Sequence, residues 1–237
     1  MTPNNALFPR WLWAPLWLVL PAGQSGCIGP AGGPQATPGA NNANAASAVV
    51  APTAGADGKA LVWNGEGVGA SAKSWASCGK KDVPCKTTFG AMPSVGHDGS
   101  TGLRFHGEGS DYLGGGWNWF GWWPENGGSD VAKFKNLSFW FKLDAKAPAA
   151  APDPGSLAVA LGCSKGKKTS ADALVAKFDA KSFDGGWHEI VIPLAEFLKE
   201  KGSDFDLASA WELRFSSWSA DEKNFDLYVD DIGFDNR

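Results

Sequence analysis

Apolar and polar residues alternate in this chain in short runs, and Gly, Pro, Asn or Asp ends each run before a helix could form. In NLSFWFKL, residues 136–143, Leu137, Phe139 and Phe141 fall on one side and Ser138, Trp140 and Lys142 on the other. A period of two marks a half-buried strand. TGLRFH at 101–106 repeats it, setting Leu103 and Phe105 against Arg104 and His106. Further runs lie at 59–63, 112–122, 156–163, 174–178, 188–194, 211–217 and 225–234. The one helix-like piece, 195–201, is too short to organise a fold. The expected fold class is therefore all-β, an antiparallel β-sandwich or jelly roll with one short helix.

That pattern occupies only residues 58–237. The first 56 residues contain one charged side chain, Arg10. Residues 11–20, WLWAPLWLVL, form an apolar stretch too short to span a bilayer, which needs about 20 residues. With Arg10 before it and small residues after it, the stretch reads as an export signal over residues 1–27. Gln24-Ser25-Gly26-Cys27 ends like a bacterial lipobox, with Gln24 departing from the usual apolar residue. Cys27 is then the expected lipidation site, and ordinary signal cleavage is the alternative. Residues 28–57, rich in Ala, Gly, Pro and Asn, have the composition of a disordered linker with a span of roughly 30 Å. Together these imply an exported domain, a surface lipoprotein or secreted, that meets a membrane only through an N-terminal lipid.

Composition narrows the partner. The formal net charge is −4 and no basic run occurs, which excludes a phosphate-backbone ligand. The chain carries 13 Trp and 14 Phe but only 2 Tyr, more large rings than one core of this size needs. Some of them should lie on a surface, where flat aromatic faces serve recognition. Of the four cysteines, Cys78 and Cys85 are seven apart in a polar loop, and an oxidising compartment favours their pairing. A zinc site with His97 and His106 is the rival, although the spacing matches no compact zinc pattern. Cys163, at the end of an apolar run, reads as a buried free thiol.

Several segments resemble bacterial carbohydrate-binding modules of the galactose-binding-like jelly-roll kind, families 4, 11 and 22. Gly186-Trp187-His188 leading into Ile190, Ile192, Pro193, Leu194 and Phe197 is similar to one edge of that fold. The closing stretch 227–234, LYVDDIGF, resembles its last strand. Residues 117–124 with Asp130, Leu137 and 139–141 resemble its middle strands. The resemblance implies a ligand lying across a sheet face or at loops on one edge, held by indole rings stacked on sugar C–H faces. Strand alternation nominates Asn118, Trp122, Trp140, Glu212 and Arg214 for that face, with Trp123 and Trp218 in adjoining loops. Related modules often hold a structural Ca²⁺, for which Glu66, Asp98, Asp230 and Asp231 occupy comparable positions. Asp98 is equally suited to shaping a turn.

Catalysis finds little support. Sandwich-fold glycosidases need two facing carboxylates, whereas only eight Glu occur and none lies in a closely spaced acidic run. His106, Glu108 and Asp111 make the one imaginable cluster, and no GxSxG, HExxH or P-loop motif is present. The expectation is a non-catalytic, monomeric domain binding a polysaccharide such as a β-glucan. The alternatives are a protein-contacting envelope domain, whose aromatics would all be core, and a glycoside hydrolase with carboxylates lining a cleft.

Overall fold

A computed structural model describes residues 55, 58–68, 73–79, 86–119, 127–164, 169–199 and 205–237, all within the compact unit Asn44–Arg237. Among the described residues the strands are β1 Ala60–Trp63, β2 Lys73–Cys78, β3 Thr88–Met92, β4 Gly102–Asn118, β5 Asn136–Ala145, β6 Ala158–Cys163, β7 Ala173–Leu174, β8 His188–Pro193 and β9 Ala210–Asp235. All their pairings are antiparallel.

The fold is the expected β-sandwich, but its strands are partitioned differently. One long strand, β4, takes in 102–106 of the first run and 112–118 of the run at 112–122, and runs 211–217 and 225–234 belong to β9. The polar residues between them stay extended because β4 and β9 pair with each other along their length. Where β4 moves on from Gly109 to Asp111, its partner moves from Lys223 to Ser219, so β9 carries surplus residues there. Gly109 has φ 139° and Asp111 has φ 65°, the local distortion that such a bulge requires. Run 174–178 is not a strand throughout: only Ala173 and Leu174 pair, and Val175–Phe178 makes one helical turn, α1. The helix expected at 195–201 is a 3₁₀ stretch, Leu194–Leu198. β2 and β3 have no counterpart among the period-two runs.

β4 and β9 each serve two layers. The first half of β9 pairs with the second half of β4 and with β6, while β2 flanks β4 and β7 flanks β6. The second half of β9 pairs with the first half of β4, with β5 and with β1, while β3 and β8 form the flanks. The layers meet through rings: Phe215 of β9 packs edge-to-face on Phe139 of β5 at 5.9 Å and on Phe89 of β3 at 6.2 Å. Phe105, Phe139, Phe141, Phe215, Phe225 and Phe234 are all fully buried, as the period-two pattern requires. Cys163 is buried and stands outside any disulfide, as expected.

The last residues fasten the sheet. Asp235 is buried and accepts from Asn136 Nδ2 at 3.0 Å, Ser138 Oγ at 2.9 Å and Arg237 Nη2 at 2.8 Å. Arg237 also grips Glu189 of β8 with Nη1 at 2.9 Å and Nη2 at 2.6 Å. Burial alone would push the Asp235 carboxyl up, but the bonds from Arg237, Asn136 and Ser138 together outweigh it and hold it at about 2. A carboxyl held below its unfolded value stabilises the fold above that value and loses its contribution as pH falls through the folded one. Urea midpoints of the wild type should therefore drop between about pH 4 and about pH 2. Asp235→Ala, which strands buried donors, should start about 2 kcal/mol lower at neutral pH and show a shallower acid slope.

Candidate glycan-binding face

The register of the first layer fixes which side chains share its outer surface, because residues directly opposite one another point the same way. One row runs Lys73, Asn118, Glu212, Gly162; the next runs Trp75, Gly116, Arg214, Ala160; a third runs Ser77, Gly114, Ser216, Ala158. Beyond them Tyr112 stands opposite Trp218. The inward-pointing neighbours Leu213, Phe215, Leu113 and Trp117 are core.

Glycine and alanine floor this surface, and rings pack against the floor. A Cβ on Gly116 would sit 2.3 Å from Trp75 Nε1, and one on Gly114 would sit 2.0 Å from the Tyr112 hydroxyl oxygen. Both rings therefore occupy space that any side chain at these positions would fill, which explains the outward members of the 114–116 triplet. Gly115 faces inward, where a Cβ would meet the Phe105 ring at 2.9 Å. Tyr112 and Trp218 are in ring contact, with centroids 4.8 Å apart and planes at 54°. Trp218 is 63% exposed, the largest exposed aromatic among the described residues. The Arg214 guanidinium carbon lies 5.7 Å from the Trp75 ring centre, and its Nη1 donates to Thr169 Oγ1 at 2.5 Å. From Tyr112 to Gly116 the platform extends roughly 13 Å along β4.

Glu212 lies underneath this surface rather than on it. It is buried, accepts from Trp75 Nε1 at 2.5 Å on Oε1, and accepts from Arg214 Nε on Oε2. Burial pushes its carboxyl up, with the Arg214 charge and the two bonds pulling against that. Asn118, opposite Glu212, is also buried. The structure thus brings Asn118, Glu212, Arg214 and Trp218 to one face, but leaves only Arg214 and Trp218 with surface to offer.

Trp140 belongs to the other layer. It pairs across from Asp230 and Glu189 and stacks on His97, centroids 3.7 Å apart and planes at 6°, while Trp187 meets the same imidazole edge-on at 5.7 Å. Alternation gives the outward direction of Trp140 but not the sheet that carries it. That outer face also carries a cavity of about 500 Å³ beside Arg104, His106, Glu108 and Asp226. Its charges hold one another: Arg104 Nε and Nη2 donate to Asp226 at 2.8 and 2.9 Å, His106 Nδ1 is 2.9 Å from Asp226, and Lys86 pairs with Glu108. His106 and Glu108 are thus engaged by Asp226 and Lys86, and Asp111 sits in the β4 bulge.

Trp122, Trp123, Cys85 and Cys27 lie outside the described residues. Cys78 Sγ is 3.2 Å from Thr87 Oγ1. Glu66, Asp98, Asp230 and Asp231 gather where β1 meets the end of β9. Burial, then the charges of Asp230, Asp98 and Glu66, push the Asp231 carboxyl up, while Lys59 draws it down. Asp230 is already engaged: Oδ2 accepts from His97 N at 2.9 Å and Ser100 Oγ at 3.0 Å, and Oδ1 accepts from Asp231 N at 2.9 Å. Among the described residues, no three His, Cys, Asp or Glu side chains are grouped closely enough to hold a metal by themselves.

Sequence reasoning misses Trp75 and Tyr112, the two rings nearest Arg214 and Trp218. The available signal is the glycine triplet next to an aromatic residue, since glycine inside a strand marks a close approach from outside.

A two-layer β-sandwich that gathers aromatic rings on the outer face of one sheet is the build of a carbohydrate-binding module. The chain belongs to the carbohydrate binding domain 30 family, which matches it over residues 57–236. Among solved structures it is similar to the family 30 module of the cellulosomal cellulase Cel9D-Cel44B of Clostridium thermocellum, at 17% identity and TM-score 0.50, covering 69% of this chain and 91% of that one. The β-1,2-glucanase of Parabacteroides distasonis matches at 16% identity and TM-score 0.50, covering 69% of this chain and 23% of that one. The family 11 module of Lic26A-Cel5E of Clostridium thermocellum matches at 18% identity and TM-score 0.48, covering 81% and 97%. No curated protein matches. The domain binds carbohydrate.

Proposed function

We propose that the domain holds a β-glucan chain against the Trp75, Tyr112 and Trp218 face and does no chemistry on it. The observation that carries this is the platform itself: aromatic rings packed over Gly114 and Gly116, with Arg214 fixed beside Trp75. Sugar rings present apolar C–H faces that such rings cover with little desolvation of polar groups, and Arg214, Thr169 and Ser216 are placed to bond hydroxyls. The face has no facing carboxylate pair among its described residues, and both oxygens of Glu212 are occupied by donors. Affinity electrophoresis of the chain against soluble β-glucans and unrelated polysaccharides tests the reading. Retardation by a β-glucan without release of reducing sugar is the expected result; uniform mobility across the panel overturns it.

The same proposal covers the setting of the domain. The apolar stretch at 11–20 and the Ser25-Gly26-Cys27 ending support export and a lipid tether for a monomeric binder. Pairing of Cys78 with Cys85 is supported by their spacing and by Cys163 standing outside any disulfide. A structural calcium ion is proposed for Glu66, Asp98 and Asp231, supported by the shared negative field at Asp231, with main-chain oxygens as further ligands of the kind calcium accepts. Calcium should raise Tm by several degrees over chelator-treated protein. An unchanged Tm removes the ion from the account.

A further inference from the structure

Glu212 is a buried carboxylate beneath a surface whose two adjoining groups, Trp75 and Arg214, are the groups its oxygens hold. Gly116 and Gly162 close over it: a Cβ on Gly116 would lie 2.6 Å from Oε1 and one on Gly162 would lie 2.5 Å from Oε2. Directly across the β4–β9 pair stands Asn118, whose buried Oδ1 has no hydrogen-bond partner among the described residues. A buried acceptor without a donor is costly and rare. We propose that Glu212 is the positioning residue of the glycan face and switches it with protonation: ionised, it anchors Trp75 and Arg214; neutral, it donates its new O–H to Asn118 Oδ1 and releases them. This rests on the glycan-binding reading of the face.

The chemistry follows from donor and acceptor counts. An ionised carboxylate only accepts, and the indole N–H and the guanidinium only donate, so the three fit without rearrangement. A proton taken from solvent onto either oxygen would face one of those donors. Asn118 Oδ1 is the acceptor left over on the opposite strand, in register with Glu212. Turning toward it satisfies the orphan and carries the carboxyl away from both the Trp75 and the Arg214 bonds. Arg214 then keeps Thr169 Oγ1, and Trp75 keeps only its packing over Gly116.

The groups facing Glu212 leave it as the titrating member. In the row of Glu212 itself stand Asn118 from β4, the exposed Lys73 from β2 and Gly162 from the strand beyond; one row over stand Arg214 from β9, Trp75 from β2 and Ala160; further along β4 is Tyr112. Tyr112 is pushed up by burial and stays neutral across the relevant range. Burial favours the neutral form of Glu212 as well, so its protonation begins at a higher pH than that of an exposed glutamate.

The test follows the Trp75 indole directly. In the full chain labelled with ¹⁵N-tryptophan, the Trp75 Nε1–H resonance, assigned by its loss in Trp75→Phe, is followed from about pH 8 to about pH 4. The wild-type resonance should move through one titration that Glu212→Gln lacks and that Asn118→Leu, lacking the acceptor, shifts to lower pH. Affinity for a soluble mixed-linkage β-glucan should weaken several-fold through the same transition in the wild type. In Glu212→Gln it should be weak at neutral pH and flat with pH. A Trp75 resonance that does not titrate in the wild type, or that titrates identically in Glu212→Gln, overturns the proposal. Because the indole arm needs no ligand, it distinguishes failure of the switch from failure of glucan binding. If Glu212→Gln does not fold, the wild type and Asn118→Leu decide between the same outcomes.

Discussion

Replacing Trp75 with alanine should weaken β-glucan binding about 30-fold or more while leaving the chain folded. A central aromatic anchor in a recognition surface contributes about 2 kcal/mol or above, and each 1.4 kcal/mol is about tenfold in Kd. Trp75 is the ring in contact with Arg214 on one side and Glu212 beneath, so its removal takes away the stacking surface and frees the arginine's nearest neighbour. Trp75→Phe separates the two contributions. It keeps a flat ring over Gly116 but withdraws the indole N–H from Glu212, and should fall between wild type and alanine. Isothermal titration with one soluble β-glucan, with melting curves alongside, reads both. Alanine binding at wild-type strength would exclude Trp75 from the contact.

Phe215→Ala should cost about 3–5 kcal/mol in urea unfolding, the usual range for removing a fully buried ring. Phe215 is the residue next to Arg214 and Ser216, pointing the other way. Its ring joins the layers by meeting Phe139 at 5.9 Å and Phe89 at 6.2 Å. The cavity it leaves lies between two sheets held apart by many other side chains, so collapse around the hole is limited. Binding measured well below the lowered melting point should be affected far less than stability. A loss under about 1 kcal/mol would show that the layers do not meet at this ring.

Most of the layering is legible in the chain because period-two alternation reports burial directly. Leu137, Phe139 and Phe141 go inward and Trp140 outward, and Leu213 and Phe215 inward with Arg214 outward, as the pattern demands. Alternation says nothing about which strands are neighbours, which depends on contacts far apart in sequence. That is why alternation groups Trp140 with Arg214 although β5 pairs with the other half of β9. The long strands read as pairs because Asp221, Glu222 and Asn224 look like turn residues, yet β9 runs on through them: Asn224 pairs with Glu108, and Asp221 and Glu222 lie in the bulge between the paired residues Ser219 and Lys223. Trp75 is hidden for a different reason. KSWASC is short, polar and followed by a Gly- and Pro-bearing loop, so its strand exists mainly because β4 accepts it along 113–118. Glu212 falls on the outer side of its strand as alternation requires, but burial under a tryptophan is a tertiary fact that spacing cannot carry.

The central claim is the location of the glycan on the Trp75, Tyr112 and Trp218 face, and paired substitutions on opposite sheets test it most directly. Trp218→Ala and Trp140→Ala would be titrated with the same soluble β-glucan under the same conditions. The account predicts clear weakening for Trp218→Ala and wild-type affinity for Trp140→Ala, whose ring is committed to His97. Loss of binding in Trp140→Ala with Trp218→Ala unchanged would contradict it and move the site to the other layer.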